Sequence, residues 1–148
     1  APLSEVSAWD ISTDALRIAR DNAASLHAVV DFRQQDALHA PMEDREKWDL
    51  IISNPPYVME KERKEMADNV LRHEPSLALF VPNDDPLRFY RAIARYGKHA
   101  LRPGGTLFFE INPLLAEDML RLLEEESYQH VQLIADAFGK SRFTKATI

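Results

Sequence analysis

The chain has 148 residues, enough for one domain with a real core, and 45% of them are apolar, which is a globular composition rather than a disordered one. A net charge of -6 argues against a broad phosphate-binding surface and against a basic membrane face. There is no cysteine, which excludes disulfides and thiolate metal sites and fits a reducing, cytoplasmic setting. No apolar run approaches the roughly 18 residues of a membrane span. The opening "APLSEVSAWD" lacks the charged and apolar regions of a signal peptide. It also lacks an initiator methionine, so a processed chain or a fragment is expected.

Glu5 to Trp9 reads as a short strand ending at Asp10. Ser12 or Thr13 suits a helix N-cap and Asp14 favours the first turn, and Leu16, Ala19 and Ala23 recur at helical spacing through "DALRIARDNAASL". "VVDFRQQD" is a second strand, with Val30 and Phe32 on one face, ending at Asp36. "WDLIIS" is a third, and its run Leu50-Ile51-Ile52 is continuous enough to predict burial on both faces. The charged stretch "MEKERKEMADNVLRHEP" is weakly periodic and reads as a lid or an irregular helix. "PNDDP" opens the next helix, with Leu87, Tyr90, Ile93 or Ala94, and Leu101 inward. "RPGG" stops it and "TLFFEI" is a fourth strand. A helix follows over Leu115 to Glu125, then two strands, "VQLIAD" and "RFTKAT", about a turn at Gly139. Strands alternating with helices predict an α/β fold with a mostly parallel sheet, closed by an antiparallel hairpin.

In open α/β sheets, ligands sit beyond the carboxyl ends of the strands. Asp10, Asp36 and Asn54 each follow a predicted strand directly, which gives three polar residues on one rim. An acid so placed can accept from both hydroxyls of a ribose, which Asp10 could do. Asp36 could accept from an adenine amino group, with the Ala37 amide nearby. Either acid is equally a common turn or cap residue.

Asn54-Pro55-Pro56-Tyr57 is the more specific signal, arising by chance in about one such chain in a few thousand. Each proline fixes its own φ, pushes the preceding residue out of the helical region and removes an N–H donor. The result is a stiff, acceptor-rich loop at a strand end. The Asn54 side-chain oxygen and the Pro55 carbonyl can accept both protons of one NH₂ group, and Tyr57 can stack on the planar system carrying it. Such a loop suits methyl transfer to a planar nitrogen. Its lone pair is delocalised, so alignment with a sulfonium methyl matters more than deprotonation.

"AWDIS…AL.IAR.NA", "QQDAL", "WDLIISNPPYV", "HEPSLAL" and "LRPGGTLFFEI" follow one another as in the HemK/PrmC family, which this chain resembles from about Val6 to the closing "FGKSRFTKA". Those are protein-(glutamine-N5) methyltransferases that modify peptide-chain release factors in translation termination. The resemblance implies a Rossmann-like, seven-stranded methyltransferase sheet and S-adenosylmethionine as donor. It implies that Asp10, with Ile11 beside it, binds the ribose, and that Asp36 and Ala37 lie at the adenine. It implies that Asn54, Pro55, Pro56 and Tyr57 form the catalytic loop. In it, Asn54, Pro55 and Tyr57 hold the glutamine of a Gly-Gly-Gln loop, and Asn54 also borders the cofactor. Glu74 of "HEP" would support that loop.

The family's N-terminal helical domain, first strand and Gly-rich turn have no counterpart here, because the four glycines stand at 97, 104, 105 and 139. The expectation is therefore a partial catalytic domain over 1–148, weakly active or inactive alone. It would leave two unpaired sheet edges that close on each other, pair with another copy, or leave the chain marginally stable. The tetrapeptide alone is shared with adenine-N6 methyltransferases, which would act on nucleic acid and favour a basic face. A non-catalytic fragment is the third reading. The five histidines show no metal-ligand spacing, so no metal site is expected.

Overall fold

A computed structural model describes residues 4–56, 58–59, 80–81 and 85–148. The chain divides into two compact units, Ala1–Ala40 and Pro41–Ile148.

In the first unit, β1 (Ser7–Asp10) and β2 (Asp31–Gln34) pair in parallel, with Ser7 opposite Asp31 and Asp10 opposite Gln34. A parallel pair needs a crossover, and α1 (Thr13–Ser25) supplies it. Ser12 starts this helix because its hydroxyl accepts the Ala15 amide at 3.2 Å, and Asp14 adds negative charge at the positive end of the helix dipole. His27 follows the C-cap with φ at 53°, the left-handed position that usually ends a helix. Leu16 is the buried residue of α1.

The second unit runs β3 (Trp48–Ser53), β4 (Val58–Met59), β5 (Phe80–Val81), α2 (Arg88–Ala100), β6 (Leu101–Glu110), α3 (Ala116–Glu125), β7 (Gln129–Ala135) and β8 (Ser141–Thr147). Four of these strands form one sheet in the order β3-β6-β8-β7. β3 and β6 are parallel, and β8 is antiparallel to both of its neighbours. The short β4 and β5 pair in parallel as a separate ladder. Most of the segment between them, which the sequence marks as a lid, lies outside the described residues, as does Glu74.

Alternation along β6 decides where the core sits. Leu107 and Phe109 point to one face and are fully buried with Thr144 and Ala146 of β8. α2 covers that face with Tyr90, Ile93, Ala94 and Tyr96, and α3 adds Met119, Leu122 and Leu123. Tyr90 meets Phe109 edge-on, centroids 5.2 Å apart, and its hydroxyl donates to the Glu110 carbonyl at 3.0 Å. A polar chain ties the start of β3 to α2. Trp48 Nε1 donates to Tyr96 Oη at 2.7 Å, and that hydroxyl donates to Asp44 Oδ2 at 2.7 Å. Lys47 Nζ reaches the other oxygen of Asp44 at 3.0 Å.

Two expectations are corrected here. Leu50 is 51% exposed and Ile52 69% exposed, so the third strand is not buried on both faces. β3 is an edge strand among the described residues, and the helices of its unit cover the face opposite these two side chains. "RPGG" does not lie between helix and strand. β6 begins at Leu101, directly after α2, and the register with β3 slips between Leu101 and Thr106. Gly104, at φ 79°, and Gly105 bond Ile148 from within that irregular stretch. No helix among the described residues is long and apolar enough to cross a membrane.

Two substitutions test this packing. A Cβ on Gly97 would fall well inside contact distance of the Tyr128 hydroxyl, which donates to the Ala94 carbonyl at 2.8 Å. Helix propensity alone favours Ala over Gly by about 1 kcal/mol. Overpacking costs about 1–3 kcal/mol, so Gly97→Ala is expected to destabilise. Tyr128→Phe should recover part of that loss, and strictly additive effects in denaturant unfolding would contradict the contact. Thr144 Oγ1 is buried without a partner among the described residues. Thr144→Val should therefore stabilise by about 1 kcal/mol, and a clear loss would show that the hydroxyl is bonded.

Candidate functional site at the strand ends

In the first unit, the two acids predicted from the sequence come to one rim. Asp10 ends β1, and Asp36 stands two residues beyond Gln34, which pairs with Asp10. Asp10 Oδ1 accepts the Ser12 amide at 2.8 Å, which shapes the entry to α1. Its exposed carboxylate keeps the Oδ2 oxygen for a further donor. Asp36 Oδ1 accepts the Leu38 amide at 2.9 Å and caps a 3-10 turn, Ala37–His39. Its Oδ2 lies 2.7 Å from His39 Nδ1. Both acids are therefore turn or cap residues, and that role uses only part of each carboxylate. Ala37 opens the turn, where the first amides have no helical partner. Ile11 is 45% exposed beside Asp10.

The two glutamines before Asp36 lock this rim, and the sequence reading did not single them out. Gln34 Nε2 donates to the Ile11 carbonyl at 3.1 Å, joining the ends of β1 and β2. Gln35 Nε2 donates to the carbonyls of Asp36 at 3.0 Å and His39 at 2.8 Å. Two amides directly before a strand-end acid were the available signal.

In the second unit, Asn54 follows the last residue of β3. It is exposed, Pro55 is buried and Pro56 is half-buried. Pro55 is thus packed as an anchor, while Asn54 faces solvent. Tyr57 lies outside the described residues. Ser53 is in register with Phe109, so Glu110 falls beside Asn54 at the same rim. By strand alternation both follow residues of one face, Ile52 and Phe108. Glu110 is a carboxylate that the sequence reading passed over, because one acid inside "TLFFEI" makes no pattern. A shallow hollow beside Ala24, Val30 and Asp31 lies near the amino end of β2 and holds none of these residues.

A family profile described as "Methyltransferase small domain" matches residues 1–78. The chain belongs to that methyltransferase family. Among curated proteins it is similar to the release factor glutamine methyltransferase of Bacteroides thetaiotaomicron, 53% identical over 98% of this chain and 52% of that protein. The protein of that name from Flavobacterium psychrophilum is 39% identical over 97% of this chain and 50% of its own. The chain thus spans about half the length of these curated relatives. Among solved structures, a methyltransferase from Pyrococcus furiosus superposes with a TM-score of 0.67 at 16% identity, covering 97% of this chain and 61% of that one. A SAM-dependent O-methyltransferase from Thermotoga maritima gives 0.66 at 12% identity, over 97% and 49%. These likenesses establish the methyltransferase fold that the family resemblance implied, on the α/β architecture that the strand pattern predicted.

The β7–β8 turn also reaches the rim of the second unit, because Glu110 pairs with Phe143 and Ala135 with Ser141. Asp136 organises it. Its Oδ1 accepts the amides of Phe138 at 2.8 Å and Lys140 at 3.0 Å, and its Oδ2 meets Arg142 Nε at 3.3 Å. The Lys140 amide, then those of Phe138 and the Arg142 guanidinium, hold the Asp136 carboxyl below the usual carboxylate range, against partial burial. A lowered folded pKa gives stabilisation that is present above the ordinary carboxylate pKa and lost as pH falls through the lowered value. The amide shifts of Phe138 and Lys140 should therefore titrate together with a midpoint below the ordinary carboxylate value. Asp136→Asn should abolish that titration. A midpoint at or above the ordinary value would contradict the assignment.

Proposed function

We propose that this chain is part of an S-adenosylmethionine-dependent protein-(glutamine-N5) methyltransferase that modifies the Gly-Gly-Gln loop of peptide-chain release factors. The observation that carries the reading is the exposed Asn54 at a strand end, followed by a buried proline, in "NPPY". The curated relatives named release factor glutamine methyltransferase support it over nearly the whole chain. The reading puts the protein in the cytoplasm, where translation terminates. It makes residues 1–148 part of a catalytic domain whose first strand and Gly-rich turn belong to other residues.

The donor's contribution is an electrophilic methyl group on a sulfonium. Asp10, through the carboxylate oxygen left over from its turn, would take the ribose, with Ile11 against the adenosine. Asp36 and the Ala37 amide would take the adenine edge. Asp36 must then share the oxygen that His39 approaches, which a carboxylate with two acceptor positions per oxygen can do. The residues present fit the adenosine part. No glycine precedes Gly97, so no Gly-rich turn here fits the methionine part.

Asn54 Oδ1 and the Pro55 carbonyl accept the two protons of the glutamine NH₂ group and fix the plane of the amide. In this reading Tyr57 would stack on that plane. The gain is positional, because a delocalised lone pair reacts only when aimed at the methyl carbon. With the donor bound, the Asn54 side-chain oxygen and the Pro55 carbonyl would stabilise the positive charge that develops on the amide nitrogen as it takes the methyl group, until one N–H proton is released to water. β3 is an edge strand among the described residues, which supports a further strand pairing there, from elsewhere in the protein or from a second copy.

The full-length gene product, incubated with methyl-labelled donor, a release factor and DNA, should label the release-factor glutamine. Asn54→Ala should reduce that labelling by about 100-fold or more without unfolding the protein. Label on DNA adenine would select the adenine-N6 reading and overturn this one.

A further inference from the structure

Asn54 and Pro55 touch one NH₂ group, and every glutamine carries the same group. Two acceptors cannot tell one glutamine from another, so selectivity requires contacts away from the reacting nitrogen. The second unit offers one on the same rim. β3, β6 and β7 all end there, and the β7–β8 turn projects from it. That turn stands two to three strand spacings of about 4.8 Å each from the β3 end, within reach of a protein whose loop occupies the Asn54 site.

At its tip, Phe138 is 88% exposed. A single exposed apolar residue is ordinary on a soluble protein. What distinguishes Phe138 is that its backbone is held. The Asp136 carboxylate accepts the Phe138 and Lys140 amides, the Asp136 carbonyl accepts the Gly139 amide at 3.0 Å, and the Asp136 amide donates to Lys140 at 2.8 Å. Gly139 supplies the left-handed φ of 78° that closes the turn. An aromatic ring on a pre-ordered turn loses little entropy on binding. Beside it stands exposed Lys140, which no carboxylate pairs among the described residues. Exposed aromatics are enriched in protein–protein interfaces, and a neighbouring cation suits the polar rim around such an anchor. One ring and one cation on a chain of net charge -6 make a poor phosphate-binding surface.

We propose that the β7–β8 tip is a docking contact for the protein that presents the acceptor glutamine. Phe138 enters an apolar pocket of that protein and Lys140 meets a carboxylate at the pocket's edge. This rests on the reading of methyl transfer to a protein glutamine.

The test uses the full-length gene product, assayed on an intact release factor and on a short peptide of its Gly-Gly-Gln loop. Phe138→Ala should raise KM for the intact protein about ten-fold or more, with kcat unchanged and KM for the peptide unchanged. Lys140→Glu should raise the same KM less, with a dependence on salt. Normal labelling with an unchanged KM in Phe138→Ala overturns this inference alone. A lowered melting temperature or a changed sedimentation coefficient in that variant also overturns it, by placing the ring inside the protein or against a second copy. Loss of binding to DNA in place of the release factor overturns it as well. Absence of glutamine labelling by the unaltered protein overturns the underlying reading, and this inference with it.

Discussion

The parallel ladder between β3 and β6 fixes the second unit from Leu50, opposite Thr106, to Ser53, opposite Phe109. The same ladder sets which residues are buried and which stand at the rim. With Phe109 turned inward against Tyr90, alternation leaves Glu110 at the strand end and puts Asn54 beside it. A one-residue slip of β3 against β6 would turn Ile52 to the helix-covered face and Ile51 away from it, while β6 kept its own faces through its pairing with β8.

The prolines then act on a strand already held in place. Pro55 cannot donate to a ladder and keeps Asn54 out of the helical region, so the strand stops where its last residue is paired. Pro55 is buried and Asn54 exposed, a contrast that separates a packed anchor from a solvent-facing amide. In the first unit the same logic is carried by hydrogen bonds. Asp10 and Asp36 each commit a carboxylate oxygen to a following backbone amide, and the two glutamines tie down the surrounding carbonyls. The acids are oriented by these structural bonds.

Much of this was legible in the sequence, for local reasons. Ser12 caps α1 through a hydroxyl three residues from its target amide, and the hairpin closes on Gly139. Asn54 was legible because two successive prolines leave the backbone few options. What could not be read depends on distant partners. Leu50 and Ile52 form an apolar run whatever lies over them, and only the packing shows that their face is open. "RPGG" reads as a helix stop, yet Gly104 and Gly105 find backbone partners at Ile148, more than forty residues on. Glu110 gains meaning only from its register with β3. The exposure of Phe138 is invisible in "DAFGK", since an aromatic beside a turn is as often buried.

The most direct test is a crystal structure of the full-length gene product with a glutamine peptide and the demethylated donor. The account predicts that Asn54 Oδ1 and the Pro55 carbonyl both lie within hydrogen-bond distance of the same glutamine nitrogen. A glutamine amide bound elsewhere, or an Asn54 side chain turned away from it, would contradict the account at its centre.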